Sequence, residues 1–324
     1  MSYEGAIAIA IGDPNGIGPE IAVKAAASCF ESGRRPILVG DSFVIEHYVN
    51  VCAPGFKLLD WGDAPNSRGL FHVPVNALPG KSFEPGTVCA DAGAATVAYV
   101  TQAVAMARNG SVAGVVACPH SETAVNNAGI PFSGYPGLVA DLTNTPREKV
   151  FLMLMAAGLR IAHVTLHESV QVALARLDRK LVIDAAFATL NALERLGLPQ
   201  ARLGVFGINP HAGEGGLFGD EDGLITEPAV RELRSRGFSV DGPTGADIML
   251  AQRKHDAYLA IFHDQGHIPV KLLSPLRSSA LTIGTGIIFS SVGHGSAHDI
   301  AGKNIADPAS VSETLALLSQ STKK

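Results

Sequence analysis

The sequence predicts an α/β fold: two α/β/α domains, each a mostly parallel sheet with helices on its faces. Two observations carry this. Short continuous apolar runs (6–11, 112–117, 150–155, 203–208) alternate with segments of helical period. Strands buried on both faces read as such unbroken runs, and their alternation with helices marks a parallel sheet. The length, 324 residues, exceeds what one hydrophobic core usually organises.

The elements follow in order. A strand over 6–11 runs into Gly12-Asp13-Pro14-Asn15-Gly16-Ile17-Gly18-Pro19-Glu20. Glycines permit tight backbone turns there. Pro19 suits a first helical position, and Glu20 suits the positive end of a helix over 20–30. This strand–loop–helix unit is suited to a nucleotide or a substrate anion. Its spacing is neither GxGxxG nor a P-loop, and an ordinary strand–helix turn reads the same way.

A strand at 36–40 and a helix at 41–51 come next. Residues 54–85, rich in Pro, Gly and Asn, read as edge strands and loops. The Ala-rich stretch 90–109 has apolar spacing of three and four, a helix. The strand 112–117 ends in Cys118-Pro119-His120-Ser121-Glu122-Thr123. Strands at 150–155 and 160–167 follow, the second placing His163, Thr165 and His167 on one face by period two. Helices are expected at 171–177 and 181–196.

The strand 201–208 ends in Asn209-Pro210-His211-Ala212-Gly213-Glu214-Gly215-Gly216. Proline and three glycines there bar regular structure, so a ligand or a cleft wall is expected to hold this loop. A helix at 227–236, a polar loop at 241–247 and a helix at 248–254 lead to a strand ending near Phe262. That strand is expected to break at Gly266, with His263, Asp264, Gln265 and His267 at its open end. The glycines and small residues of 290–303 allow a planar ring to approach the backbone, within reach of Asp299 or Lys303. A helix over 307–318 closes the chain.

His167, His211 and His263 each follow an apolar run, and ligands of α/β sheets bind at carboxyl strand ends. Neutral imidazole is a common metal ligand, and three protein ligands with an open position is a catalytic pattern. The plainer reading is that each histidine caps a strand. His163 reads as a core residue. His267 reads either as a proton relay or as a structural histidine. His47, His72 and His255 read as surface residues.

Net charge is −5 and apolar residues make up 47%, which excludes a disordered chain. No Lys/Arg cluster suggests a nucleic-acid partner. The four cysteines (Cys29, Cys52, Cys89, Cys118) form no CxxC and read as buried free thiols of a reducing compartment. The first four residues carry no basic region, and no apolar run reaches the roughly 20 residues of a membrane span. A cytoplasmic protein with a small-molecule substrate, without nucleic acid or membrane partners, is expected.

Four stretches together resemble known families. Residues 12–20 resemble the GDGIGPE loop of β-decarboxylating dehydrogenases such as isopropylmalate dehydrogenase. His294-Gly295-Ser296-Ala297-His298-Asp299-Ile300-Ala301-Gly302-Lys303 resembles the adenosine loop of that superfamily. Asn209–Gly215 and His263-Asp264-Gln265-Gly266 resemble signatures of the 4-hydroxythreonine-4-phosphate dehydrogenase (PdxA) family. The resemblance spans essentially the whole chain. It implies an isocitrate/isopropylmalate dehydrogenase-like fold with a cleft between domains. The nucleotide-binding domain would be 1–127 plus 273–324. The metal, substrate and dimerisation domain would be 128–272.

It further implies NAD, a divalent metal and a homodimer with shared active sites. The metal ligands would be His167, His211 and His263. Zn suits three imidazoles, and Co, Mn or Fe also bind such sites. Lys271 matches the family's substrate-binding lysine and would bind a carboxylate or shuttle a proton. Asp247 and Asp264 would orient ligand histidines. Gly12, Asp13, Gly16, Gly18, His294, Gly295, Ser296, Ala297, Asp299 and Lys303 would contact the cofactor.

The chain departs from the phosphate-handling members of the family. They carry Gly-His-Thr-Glu where this chain has Gly134-Tyr135-Pro136-Gly137, Arg at Phe289, Asn at Ala280 and Lys at Glu122. A phosphate dianion without those donors would be unpaired. Tyr135 and Phe289 instead suggest flat apolar faces for a ring, and His120 with Ser121 are candidates for a carboxylate. Ala117-Cys118-Pro119-His120, Ser133-Gly134-Tyr135-Pro136, Val164-Thr165-Leu166-His167-Glu168-Ser169-Val170 and Ser291-Val292-Gly293-His294-Gly295-Ser296-Ala297 are most similar to the branch that oxidises the cis-dihydrodiol of terephthalate, which implies protocatechuate and carbon dioxide as products. The competing readings are a phospho-hydroxyacid dehydrogenase such as the 4-hydroxythreonine-4-phosphate enzyme, a metal-dependent hydrolase, and a non-catalytic binding protein.

Overall fold

The computed structural model describes residues 5–32, 34–61, 69–275 and 277–320. The first four residues, and 62–68 of the loop-rich stretch, lie outside them. The chain forms two compact units, residues 1–143 with 286–324, and residues 144–285. The expected boundaries at 127/128 and 272/273 therefore differ from the observed ones by about fifteen residues at each crossing. The physical reason lies in two elements. Tyr135 packs its ring on Phe289 in the first unit. The strand 279–283 pairs along its whole length with a strand of the second.

The first unit contains β1 (Ile7–Ala10), α1 (Gly18–Glu31), β2 (Ile37–Gly40), α2 (Ser42–Cys52), β3 (Lys57–Asp60), β4 (Gly69–Pro74), α3 (Ala90–Arg108), β5 (Gly114–Ala117), α4 (Glu122–Asn127) and α5 (Tyr135–Leu142). Its strands run in the order β3-β4-β2-β1-β5, every pair parallel. β1, β2 and β5 are buried at every position, which is why they read as unbroken apolar runs.

The second unit contains β6 (Phe151–Ala156), β7 (Leu159–His163), α6 (Val170–Arg176), α7 (Arg179–Arg195), β8 (Leu203–Phe206), α8 (Glu227–Ser235), β9 (Val240–Thr244), α9 (Ala246–Gln252), β10 (Ala257–Ala260), α10 (His263–Leu273) and β11 (Ser279–Ile283). The chain then returns to the first unit with β12 (Phe289–Val292), parallel to β5, and α11 (Ala309–Gln320). Within the second unit the strands run in the order β11-β6-β7-β10-β8-β9. Its first two pairs are antiparallel and the remaining three parallel. The carboxyl ends of β7, β10 and β8 therefore share one edge, and the histidines of interest leave from it.

Three local expectations are corrected. Residues 263–273 are a helix, not a broken strand. Gln265 starts it, its Oε1 accepting from the amides of Ile261 and Phe262 at 2.9 and 3.0 Å. The apolar run 268–270 is divided between faces: Val270 is buried and Ile268 is exposed. Residues 240–244 form a strand although Gly242-Pro243 lies within it. β9 is the last strand of the sheet and its register to β8 is irregular, conditions under which proline is tolerated. Finally, β7 ends at His163, so period two does not carry through to His167.

Candidate active site

At the shared edge of the second unit, four histidines form a contiguous group. The rings of His263 and His267 stack at 3.6 Å, one helical turn apart on α10. His267 lies 4.7 Å from His163, and His167 lies 5.6 Å from His263, between ring centroids. His163 is fully buried as expected, yet it belongs to this group, which its core position concealed. Burial pushes its pKa down to about 3 and that of His267 to about 4, the neighbouring imidazoles adding to both shifts. Both rings are therefore neutral. Asp264 accepts from Nδ1 of His263 at 2.7 Å. Asp247 stands exposed in the first turn of α9 and, among the described residues, pairs with no histidine of the group. Lys271, on the same helix as His263, donates to Ser278 Oγ at 3.0 Å, and burial lowers its pKa.

His211 is placed differently. Residues 211–215 all take positive φ, from 44° to 82°, a left-handed turn that three non-glycine residues enter at a cost. The buried carboxylate of Asp222 holds the base of this loop. It accepts from the amides of Ile208 and Asn209 at 2.8 and 2.9 Å and from Thr226 Oγ1 at 2.6 Å. The protein itself supplies this restraint at the base of the loop. The His211 side chain is exposed and lies 3.8 Å from Glu214. Thus His167 and His263 come together, while His211 makes its own contacts. Among the described residues, no group of three His, Cys, Asp or Glu side chains is poised to hold a metal.

A cavity of about 300 Å³ opens beside this group, lined by His163, His167, Arg147, Glu168 and Arg176 among others. Arg176 Nε donates to Glu168 at 2.9 Å. Sequence reasoning missed these arginines, which sit outside any motif.

In the first unit, two loops are stitched together. Asp13 is fully buried; it accepts from the Asn15 amide at 2.9 Å and faces His298 Nε2 at 3.1 Å. Burial raises its pKa, against the lowering effect of those two partners. Ile17 N donates to Ser296 O at 2.9 Å. Gly12 has φ +76° and a side chain there would strike Pro119 O, while Gly16 abuts Ser296 and Gly18 abuts Ile11 O. Close packing within the protein thus accounts for all three glycines. Ser296 Oγ is buried and, among the described residues, has no hydrogen-bond partner, next to Ala297 at positive φ. Gly295 borders open space. His294 Nε2 lies 2.7 Å from Ser310 Oγ. Asp299 and Lys303 are exposed, and Lys303 Nζ donates to the Asp299 carbonyl at 2.7 Å.

Tyr135 and Phe289 present no open faces. They are 2% and 0% exposed, with centroids 5.6 Å apart, and Tyr135 donates its hydroxyl to Cys118 O at 2.7 Å. His120 stands in front of them, 4.3 Å from Tyr135. Burial pushes its pKa down to about 4. Ser121 caps α4, accepting from Ala124 N at 3.2 Å. His72 and His255 are not surface residues. His72 is buried between Ser42 and Leu59 O, and the His255 side chain is buried against Asp241 at 2.9 Å. Cys29 and Cys118 are buried thiols, whereas Cys52 and Cys89 are only partly so. Among the described residues no helix is long and apolar enough to cross a membrane.

A parallel α/β core with glycine loops in one unit and a histidine group at the strand ends of the other is the framework of a small-molecule enzyme. The family model described as "Pyridoxal phosphate biosynthetic protein PdxA" matches residues 32–318. The 1,2-dihydroxy-3,5-cyclohexadiene-1,4-dicarboxylate dehydrogenase of Comamonas sp is 50% identical over 96% of both chains. The crystal structure of a terephthalate 1,2-cis-dihydrodiol dehydrogenase from Burkholderia xenovorans is 50% identical, covers 98% of each chain and has a TM-score of 0.77. That of a 4-hydroxythreonine-4-phosphate dehydrogenase from Burkholderia phymatum is 33% identical, covers 98% of each and has a TM-score of 0.87. The chain belongs to the PdxA family and is a dehydrogenase of that family.

Proposed function

We propose that the protein oxidises a cyclohexadiene cis-diol dicarboxylate, the cis-dihydrodiol of terephthalate, with NAD and a divalent metal, releasing carbon dioxide and protocatechuate. The observation that carries this reading is the Tyr135–Phe289 pair. Where the phosphate-handling pattern has His and Arg, two buried rings pack 5.6 Å apart and offer no cation to a phosphate dianion. The half-identity to the Comamonas enzyme over almost the full length of both chains supports the same substrate class.

The residues present suit the roles in part. His167 and His263 lie close enough to share a cation, with Asp264 fixing the His263 ring. A second copy of the chain would complete the ligand set, with His211 as the third residue type. The second unit exposes Val170, Leu217, Leu224 and Leu272, apolar surface suited to such a homodimer. A bound cation, Zn or else Co, Mn or Fe, would supply Lewis acidity at the diol oxygens, and bound NAD would take the hydride. Lys271, desolvated and held by Ser278, would pair with a substrate carboxylate or move a proton. His120 and Ser121 would meet the carboxylate retained in the product. The loops stitched by Asp13–His298, with the unpartnered Ser296 hydroxyl and open Gly295, would form the cofactor face. Oxidation creates a ketone β to a carboxylate; loss of carbon dioxide is then favoured because the ring becomes aromatic.

The test is direct. Purified protein, the diol dicarboxylate, NAD and metal are expected to generate NADH and protocatechuate. Turnover of 4-phosphohydroxythreonine in place of the diol would reject the substrate assignment.

A further inference from the structure

The imidazoles beside β7 and α10 form a directional chain. His163 Nδ1 lies 3.2 Å from the Leu152 carbonyl, which only accepts, so this nitrogen carries a hydrogen. The ring is fully buried and its recorded partners are a carbonyl and imidazoles, so it is neutral and its Nε2 is bare. His267 Nδ1 lies 3.1 Å from that bare nitrogen. Two lone pairs repel, so His267 donates from Nδ1. The same Nδ1 lies 3.3 Å from the His263 carbonyl, again an acceptor. Both neighbours demand one tautomer, hydrogen on Nδ1 and a lone pair on Nε2. Free imidazole side chains favour the opposite form.

The helix is also built to make this contact. Gly266 lies inside α10, where glycine costs about 1 kcal/mol relative to alanine. A Cβ at that position would stand 2.3 Å from His163 Nε2, the accepting atom itself. The glycine lets the helix backbone close over the imidazole.

We propose that His163 is a positioning residue that locks His267 in the Nδ1–H form. The bare Nε2 of His267, on a ring stacked beside His263 in a partly exposed residue, then accepts a hydrogen bond from a substrate hydroxyl. This hydroxyl role rests on the dihydrodiol reading; the lock does not.

Nitrogen–proton correlation spectra of the full chain with labelled histidine, in the presence of chelator, test the lock. The His267 signals are identified by their loss in His267→Gln. Wild type is expected to show hydrogen on Nδ1 of His267. His163→Leu is expected to shift it to Nε2–H, whereas His163→Gln, which keeps an accepting oxygen, retains Nδ1–H. Wild type in the Nε2–H form, or a leucine variant that keeps Nδ1–H, overturns the proposal. Where the leucine variant does not fold, His163→Phe, which keeps a ring but likewise offers no acceptor, gives the same decision.

Calorimetry tests the hydroxyl role. His163→Leu is expected to weaken binding of the diol dicarboxylate about tenfold while leaving terephthalate, which has no hydroxyls, within about twofold. Equal losses for both mean a merely structural role and overturn it. A wild type that binds neither compound rejects the dihydrodiol reading and the hydroxyl role with it, while the spectra still judge the lock.

Discussion

Asp13 and His298, 285 residues apart in the chain, meet at 3.1 Å between Oδ2 and Nε2. The carboxylate is fully buried and the imidazole supplies a donor that the loop backbone cannot replace. His298→Phe is therefore expected to cost about 1–3 kcal/mol at neutral pH, the penalty of leaving a buried acceptor short of a partner. The sign with pH follows from the raised Asp13 pKa. A group whose folded pKa is raised favours the fold when protonated, and that contribution is lost as pH rises through the folded value. Without His298 the carboxyl rises further. The deficit should be widest at neutral pH and narrow as the solution is acidified. Denaturant unfolding of both proteins between pH 4 and pH 7.5 (about that range) checks it, and a deficit independent of pH would show that Asp13 is not the group involved.

Gly266→Ala separates two views of a helical glycine. At an open helix position the change would stabilise by roughly 1 kcal/mol. Here the added methyl meets His163 Nε2 at 2.3 Å and Ile161 Cγ2 at 2.8 Å, in a core with nowhere to relax. Overpacking of this kind costs about 1–3 kcal/mol, so the net effect should be destabilising. Urea denaturation gives the sign directly.

Much of the fold was legible because the buried strands β1, β2 and β5 have no polar positions to confuse the pattern. The region around 263 was not, because His263-Asp264-Gln265-Gly266 has no apolar periodicity. Its helix starts through a glutamine side chain bonded to the two preceding amides, a contact no spacing rule encodes. From the strand ends in the sequence, His167, His211 and His263 are expected to converge; the rings of His167 and His263 lie 5.6 Å apart, while His211 makes its own contacts. The membership of His163 was not legible, since a core histidine and a site histidine look alike in sequence, whereas His267 is expected beside His263 with a relay and a structural role both open. His298 was passed over beside the more familiar glycines, and its partner Asp13 lies near the opposite end of the chain. Arg147 and Arg176 reach the cavity from a 3-10 turn and a short α-helix, with nothing local to mark them.

His120 predicts an acid-sensitive element. Its folded pKa, pushed down by burial to about 4, lies below the ordinary value of 6.5. The unfolded chain therefore binds the proton more readily, and stability rises with pH across this interval. The contribution is complete above about pH 6.5 and is lost as pH falls towards 4. Its size is on the order of 1–3 kcal/mol, moderated by partial exposure and by Glu122 at 3.9 Å. His120→Phe, which keeps the ring contacts to Phe132 and Tyr135, should flatten the slope of melting temperature against pH between these values. An unchanged slope would assign the acid sensitivity to another group.

Asp222 offers the sharpest test of how His211 is presented. Its two oxygens accept three hydrogen bonds, two of them from the amides that precede the left-handed turn. Asp222→Asn keeps the shape but turns one acceptor into a donor facing an N–H or O–H. The expected loss in global stability is about 1–3 kcal/mol, because one buried donor loses its partner. The larger effect should be local. Five consecutive residues at positive φ are stable only while their base is fixed. Limited proteolysis should therefore cut the variant within 210–217 under conditions that leave the wild type intact. Dehydrogenase activity should fall by about tenfold or more as His211 loses its position. A variant with wild-type protease resistance there would mean that the turn holds itself without the carboxylate. Increased cutting with full activity would instead remove His211 from the catalytic set.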